Sequence, residues 1–358
     1  MNLTCSINKL HWKRLLVMDG YKRWDDGQGF PDNEQRQWSL FDRRQPKSIT
    51  LQDAMNLASR WLPANSMLIA SPNSTKFLPP ILIPELEHVA FKSVQGNYKR
   101  ISVGLLVFGM LLCIVAFQQM GSKVFHIGLL SVSLAGALIL DYCVGIGSKA
   151  GLVQRAMFFR WLKVDKRSRQ GGLIWMGLIL AAGCFQLLMM ERLGSNDLVF
   201  KRIGAMYSPI NSGEYWRFVS GPFLHYSLYH FINNAALLFF VGVLSSALLG
   251  YVSFMVFFFG NIIAAYAQMN CGGHLFDNYG GLSGGVYALF GFVIFSGFTS
   301  RSLMPKGFCL FVANLAVLGV LGAELMSENA ATAAHFAGFF FGLICGLILK
   351  ISAVFKRA

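Results

Sequence analysis

Polar and apolar positions divide the chain near residue 100. The first 100 residues are predominantly polar and contain 14 Lys and Arg against 9 Asp and Glu. Within them, Thr50 and Asp53 have the spacing of a helix cap and predict a short helix through about Leu62, whereas Pro79-Pro80 predicts a break. We expect this part of the chain to be either a small soluble region or a partly ordered arm.

Long apolar segments replace this mixture after Arg100. There are eight, at residues 101–118, 124–146, 172–190, 229–248, 251–268, 283–299, 307–323 and 333–352. Crossing a bilayer takes about 20 apolar residues, so each segment is long enough or nearly so, although 283–299 is short. Amphipathic helices of a soluble protein would show polar faces at a period of about 3.6 residues, which these segments lack. The pattern therefore predicts an all-α polytopic membrane protein with eight transmembrane helices.

Basic residues in the connections indicate the orientation of these helices. The connection 148–170 contains seven Lys and Arg and one acidic residue, which places it in the cytoplasm. Alternation then puts residues 1–100, the turn 300–306 and the C-terminus on the same side, so that 26 of the 31 Lys and Arg lie inside. The loops 269–282 and 324–334 have no Lys or Arg and fall outside. The net charge of +14 is largely this bias, and no nucleic-acid partner is needed to explain it.

Other connections allow more than one interpretation. Residues 152–164 mix aromatic and basic side chains, as does a helix on the inner membrane surface, but an ordinary basic linker has the same composition. No charged residue occurs between Phe231 and Asn270, so the turn there is placed by length, near Ser245-Ser246 or Gly250. The seven cysteines are scattered without metal-ligand spacing, and neither a disulfide framework nor a metal site is expected.

Strongly polar residues are expensive inside a membrane, and here they gather at the outer ends of the predicted helices. His230 and Asn234 are four residues apart and share one helix face, Ser283 begins the sixth segment, and His335 lies at the outer end of the last. Taken singly, each has a simple explanation. A serine at a helix start is often only an N-cap, and the other polar groups would merely meet water.

Small residues indicate that two of these helices pack closely. His335 heads a seam formed by Gly338, Gly342 and Gly346, and Ser283 heads a similar one formed by Gly284, Ala288 and Gly291. Packing of the two seams would bring Ser283 within reach of His335, with Tyr287 one turn below on the same face. A neighbouring histidine is the general base that a serine nucleophile needs, and side-chain donors on another helix can stabilise an oxyanion.

These residues resemble the rhomboid family of intramembrane serine proteases. Residues 281–284 match its GxSG motif, and 334–338 followed by Gly342 match AHxxGxxxG. His225, His230 and Asn234 match HxxxxHxxxN, and Trp216-Arg217 resembles the WR motif of the first outer loop. The likeness covers about 172–352, with the separated motifs in the family's order.

The resemblance implies a mechanism and a class of substrate. Ser283 would be the nucleophile and His335 the general base and then acid, as a dyad without a carboxylate. His230, Asn234 and the Ser283 N–H would form the oxyanion hole, and Tyr287 would hold the His335 ring. His225, Trp216 and Arg217 would support the site, and Gly281, Gly284, Gly338 and Gly342 would serve close packing. Substrates would be transmembrane segments of other proteins in the bilayer, cut near the outer face, and no cofactor or metal is implied.

The resemblance also suggests a domain organisation. We expect an N-terminal cytoplasmic region (1–100), two additional transmembrane helices (101–147), a basic cytoplasmic linker (148–171), a six-helix core (172–352) and a cytoplasmic tail (353–358). An even number of additional helices preserves the orientation of the core. No signal peptide is evident, and the charge bias suggests a bacterial plasma (inner) membrane with both termini cytoplasmic. The chain departs from the family at Ser245-Ser246, where members often have a charged or polar turn, and at Gly221, where some have histidine.

Several alternatives remain at this point. Gly281, Ser283 and Gly285 also fit the nucleophile elbow of α/β-hydrolases, which needs a preceding strand and an acidic residue before the histidine. A metalloprotease would need ligand spacing such as HExxH, which is absent, and the apparent absence of repeats argues against a transporter. The remaining alternative is a catalytically inactive rhomboid-like protein that binds transmembrane helices without cutting them.

Overall fold

The computed structural model describes residues 30–34, 36–42, 45–65, 67–272, 277–300, 303–326 and 331–355. Arg301, in the turn 300–306, and the end of the tail at 356–358 were used in the sequence predictions and lie outside these described residues. The described residues fall into two compact units. The first takes its residues from Lys22–Val164 and Met304–Ala330, and the second from Asp165–Leu303 and Ala331–Ala358.

The first unit begins with a small sheet and a short helix. Strands β1 (Ser39–Asp42), β2 (Gln45–Ser48) and β3 (Leu68–Ala70) form an antiparallel sheet in the order β2-β1-β3. Helix α1 (Leu51–Ala58) starts with the predicted capping box, in which Asp53 N–H donates to Thr50 Oγ1 at 3.1 Å and Thr50 N–H donates to Asp53 Oδ2 at 3.1 Å. The helix ends at Ala58, one turn before the predicted end. Folded structure therefore occupies much of the region for which the sequence left an ordered or partly ordered state open.

Long helices complete the first unit. They are α2 (Pro84–Val115), α3 (Lys123–Asp141, followed by a π-turn at Tyr142–Ile146), α4 (Lys149–Val164) and α12 (Lys306–Met326). Helix α2 starts at Pro84, well before the apolar segment predicted at 101, because Leu86, Ala90 and Val94 form a buried stripe in the core that also contains Trp61 of the N-terminal region. Helix α12, assigned by sequence to the six-helix core, packs against α3 within this unit.

A buried ion pair joins α3 and α4. Arg155 Nη2 donates to Asp141 Oδ1 at 2.6 Å, and Tyr98 of α2 donates its hydroxyl to Asp141 Oδ2 at 3.1 Å. Helix α4 also buries Leu152, Phe158 and Trp161. The basic stretch 152–164 is thus a packed helix, and its buried face includes one of the arginines that the sequence counted as part of a linker.

The second unit contains the remaining helices. They are α5 (Lys166–Leu193), α6 (Asn196–Ile203), α7 (Tyr207–Asn211), α8 (Arg217–Ser220), α9 (Leu228–Leu249), α10 (Val252–Cys271), α11 (Ser283–Thr299) and α13 (Thr332–Phe355). Helix α11 packs against α9, α10 and α13, so it is the central helix of the unit. Strands β4 (Ala205–Met206) and β5 (Asn278–Tyr279) pair beside it. The turn between α9 and α10 is formed by Gly250, at φ +68°, and Tyr251, whereas Ser245 and Ser246 lie inside α9.

The helices agree with the predicted class of fold. Among the described residues, seven helices are long and apolar enough to cross a membrane: α2, α3, α5, α9, α10, α12 and α13. The predicted segment 283–299 is the 17-residue helix α11, which is apolar but shorter than the other seven. Nearly all of α11 is buried, from Ser283 to Gly297, so it is supported by neighbouring helices on every side. The chain is an all-α polytopic membrane protein.

Candidate active site

Ser283 and His335 lie side by side at the starts of two packed helices. Ser283 is the first residue of α11, and His335 lies in the first turn of α13. Ser283 Oγ is 3.0 Å from His335 Nε2, and both side chains are buried. This is hydrogen-bond distance, so a proton can pass from the hydroxyl to the imidazole without further movement of either helix.

The distance depends on glycines at the contact between α11 and α13. A β-carbon at Gly338 would lie 2.2 Å from the carbonyl oxygen of Gly284, and one at Gly342 would lie 1.9 Å from that of Ala288. On the other helix, a β-carbon at Gly291 would lie 2.1 Å from the carbonyl oxygen of Phe339. Real side chains do not approach backbone so closely. The two helices can therefore adopt this separation only because these positions have no side chain.

The imidazole of His335 has an aromatic neighbour but no acidic partner in the described structure. The Tyr287 ring lies against it, with centroids 4.7 Å apart and an angle of 39° between the planes. His335 Nδ1 is buried and has no hydrogen-bond partner among the described residues. The ring is thus oriented by packing and by Ser283, an arrangement that suits a dyad.

The residues proposed for oxyanion binding lie beside the turn that precedes Ser283. Gly281 has φ +118°, a conformation that strains any residue with a side chain. A β-carbon there would lie 2.6 Å from His230 Cε1 and 3.2 Å from Asn234 Nδ2. Asn234 Nδ2 is buried without a hydrogen-bond partner among the described residues. A donor buried in this state is expensive unless a ligand accepts from it, which suits an oxyanion site. Gly281 itself precedes α11 and makes room for His230.

His225 supports the turn that precedes Ser283. Its Nε2 lies 3.5 Å from the Leu282 N–H, and its ring meets that of His230 edge-on with centroids 5.2 Å apart. Its backbone is held by Gln186 of α5, which accepts from the His225 N–H at 2.9 Å and donates to its carbonyl at 2.6 Å. Burial, with a smaller effect from His230, lowers the pKa of His225 to about 3, so the ring is neutral near pH 7.

Trp216 and Arg217 lie in the connection before α9, where Arg217 organises the backbone. Its guanidinium donates to Glu214 at 2.8 Å and to the Gly204 carbonyl at 2.9 Å, and it lies 4.7 Å from the centre of the half-exposed Trp216 ring. These contacts tie the segment around α8 to the end of α6. The pair therefore contributes to the loop structure in this unit.

Besides Gln186, three polar residues close to Ser283 and His335 were not identified from the sequence. On α10, Asn261 accepts from the Gly285 N–H at 2.9 Å and Gln268 accepts from the Ala334 N–H at 3.1 Å. In β5, Tyr279 donates its hydroxyl to the Gly281 carbonyl at 3.2 Å. Burial raises the pKa of Tyr279 to about 12, so it remains a donor at neutral pH. The two amides interrupt an uncharged apolar stretch, and that interruption was the signal available in the sequence.

The alternatives raised by the sequence can be compared with this geometry. In the described parts of the chain, no three His, Cys, Asp or Glu side chains lie together as a metal site would require. A strand does precede Ser283, but β5 has two residues and, within the described part of the chain, pairs only with β4. The nucleophile elbow of an α/β-hydrolase is a strand-to-helix turn at the top of a larger sheet, so this resemblance is confined to the glycine spacing.

Comparisons with known proteins locate the same region. The family model described as Rhomboid domain matches residues 212–352. A protein of Haemophilus influenzae named rhomboid protease GlpG is 30% identical over 175 residues, which are 48% of this chain and 88% of that protein. The rhomboid protease GlpG of Yersinia pestis (strain Pestoides F) is 34% identical over 144 residues, 38% of this chain and 50% of that protein. With 88% of one such relative covered, the chain belongs to the rhomboid family.

Proposed function

We propose that this protein is an intramembrane serine endopeptidase that cuts transmembrane segments of other membrane proteins. The observation that carries the proposal is the 3.0 Å separation of Ser283 Oγ and His335 Nε2 at the glycine-lined contact of α11 and α13. The proteins named rhomboid protease GlpG that match this chain support the same activity.

The first half of the reaction would form an acyl-enzyme. Ser283 Oγ attacks the carbonyl carbon of the scissile peptide bond while its proton passes to His335 Nε2. The negative charge on the carbonyl oxygen is stabilised by Asn234, His230 and the Ser283 N–H. His335 then gives the proton to the leaving nitrogen, the C–N bond breaks, and the acyl group remains on Ser283.

The second half would release the other product. Water takes the place of the leaving amine and loses a proton to His335 Nε2 as its oxygen attacks the ester carbonyl. The second tetrahedral intermediate uses the same donors, and its collapse returns the proton to Ser283 Oγ. The products are an amine and a carboxylate, and the enzyme is unchanged. Removing one oxyanion donor costs about 10²–10³-fold in kcat in measured serine proteases.

The site would face the outer side of a bacterial inner membrane, with both termini cytoplasmic. The support is the charge distribution, since the connection 148–170 is strongly basic whereas the loops 269–282 and 324–334 have no Lys or Arg. In this orientation residues 1–100 and the two additional helices within 101–147 would precede the protease core.

A cleavage assay in membranes tests the proposed activity. The substrate is a reporter with one transmembrane segment that contains small and helix-breaking residues near its outer end. We expect cleavage by the wild-type protein and none by Ser283→Ala or His335→Ala at equal expression. Cleavage by Ser283→Ala at the wild-type rate would rule out the serine mechanism. Binding of the reporter by the wild-type protein without cleavage would instead favour the inactive, helix-binding alternative.

A further inference from the structure

The two helices with Ser283 and His335 in their first turns, α11 and α13, both have first-turn N–H groups that need an acceptor from elsewhere. The first four N–H groups of any helix lack an intrahelical partner. Helix α11 receives no side-chain cap from Leu282, the residue at its N-cap position. Gly285 is two residues beyond Ser283, and Ala334 immediately precedes His335, so the N–H groups in question lie beside the reacting side chains.

One helix supplies both acceptors. Asn261 Oδ1 of α10 accepts from the Gly285 N–H at 2.9 Å, and Gln268 Oε1 of the same helix accepts from the Ala334 N–H at 3.1 Å. The two amides are seven residues apart, which is about two turns, so they project from the same face. Both side chains are buried, with 2% and 3% of their surface exposed.

The packing around Asn261 leaves it little freedom. A β-carbon at Gly285 would lie 2.4 Å from Asn261 Nδ2 and 2.6 Å from the Phe257 ring, so α10 and α11 are in direct contact here. One turn away, a β-carbon at Gly260 would lie 2.4 Å from the Ala288 side chain. The hydrogen bond from the Gly285 N–H to the Asn261 side chain thus links two helices that are already in close lateral contact.

We propose that Asn261 and Gln268 are positioning residues that set the register of Ser283 against His335. Each amide holds the start of one helix. Because both amides project from α10, both helix starts are positioned relative to the same helix. A shift of either start along its axis would lengthen the 3.0 Å contact between Oγ and Nε2. This inference rests on the proposed protease function, since its consequence is measured as catalysis.

Substitutions that remove or keep the acceptor test the proposal. Asn261→Leu and Gln268→Met remove it with little change in volume, whereas Asn261→Asp and Gln268→Glu keep an oxygen in place. The matched control is Asn270→Leu, because Asn270 is exposed on the same helix and its side chain donates to the Tyr266 carbonyl. The reporter assay in detergent gives kcat and KM, and thermal unfolding is followed in parallel.

We expect kcat to fall about 10- to 100-fold in Asn261→Leu and in Gln268→Met, with KM within about threefold of wild type. The Asp and Glu variants should recover most of kcat. The fold-reduction in kcat of the double variant Asn261→Leu/Gln268→Met should be smaller than the product of the two single reductions. The reason is that a shift of either helix start already separates Ser283 from His335. A merely structural role would lower the unfolding temperature and leave kcat of the folded fraction unchanged.

The outcomes separate this inference from the proposed function. If the wild-type protein neither cuts the reporter nor reacts with a fluorophosphonate, the proposed function fails. If the wild type is active and Asn261→Leu matches Asn270→Leu in kcat, the inference fails alone. Should the Leu and Met variants not fold, amide hydrogen exchange in the wild type decides, since the Gly285 and Ala334 N–H groups must be as protected as those in mid-helix. Fast exchange at both would overturn the proposal.

Discussion

Gly338→Ala is the substitution whose effect follows most directly from the geometry of the site. The added β-carbon would lie 2.2 Å from the Gly284 carbonyl oxygen, whereas ordinary van der Waals contact begins at 3.4 Å. The helices must therefore move apart by about 1.2 Å at this level, since both contacting atoms belong to helices and neither can rotate away. Gly338 is one turn from His335 and Gly284 adjoins Ser283, so most of this displacement reaches the dyad.

The displacement predicts a loss of catalysis larger than the loss of stability. Ser283 Oγ and His335 Nε2 are 3.0 Å apart, and a separation of about 4 Å no longer supports a hydrogen bond. A misplacement of about 1 Å costs on the order of 10²-fold in rate, and we expect this reduction in kcat. Overpacking of the seam should cost about 1–3 kcal/mol of stability, so a folded variant can be purified and assayed.

The matched control is Gly177→Ala on α5, where a β-carbon would meet nothing within 4 Å. Alanine at this exposed helix position should stabilise the protein by about 1 kcal/mol and leave kcat unchanged. The assay is reporter cleavage at saturating substrate, with circular dichroism to confirm folding. Wild-type kcat in a folded Gly338→Ala protein would refute the argument that close approach of these helices positions the dyad.

Three other substitutions probe the surroundings of the dyad. Tyr287→Leu should lower kcat about 3- to 10-fold through loss of the ring contact with His335, while Tyr287→Phe stays near wild type; full activity of the Leu variant would remove Tyr287 from the site. Asn234→Ala should lower kcat about 10²–10³-fold with KM little changed, and an effect confined to KM would contradict its assignment to the oxyanion hole. Because the pKa of His225 is lowered to about 3, the unfolded chain binds a proton below about pH 6.5 that the folded protein does not bind. The free energy of unfolding should therefore fall by about 2 kcal/mol from pH 7 to pH 5, and His225→Gln should flatten this pH dependence in denaturant titrations.

The sequence predicted the features of the fold that depend on local patterns. Apolar length identified the seven described helices that are long enough to cross a membrane, and the small-residue spacing anticipated the contact of Gly338 with Gly284. It did not predict that α2 begins at Pro84. An apolar segment marks only the part of a helix that lies in the hydrocarbon core, and α2 extends beyond that part. The buried stripe of this extension packs against residues of the N-terminal region, and this contact between distant segments has no local sequence pattern.

The parts of the site that escaped prediction depend on contacts between distant segments. Asn261 and Gln268 are polar residues in a mainly apolar helix, and the N–H groups that donate to their amide oxygens belong to two helix starts far away in the sequence. Tyr279 was missed for a similar reason, since its hydroxyl reaches a carbonyl in a turn whose path is set by Gly281 at φ +118°. No local pattern reports such a turn or the orphan donor of Asn234 beside it.

The central claim is that Ser283 is a nucleophile activated by His335, and covalent labelling tests it without knowledge of the natural substrate. The protein is treated with a fluorophosphonate in detergent, and the modified residue is located by peptide mass spectrometry. We predict one adduct on Ser283, with labelling abolished in Ser283→Ala and slowed by at least about 10²-fold in His335→Ala. An adduct on another serine, or undiminished labelling of Ser283→Ala, would contradict the claim.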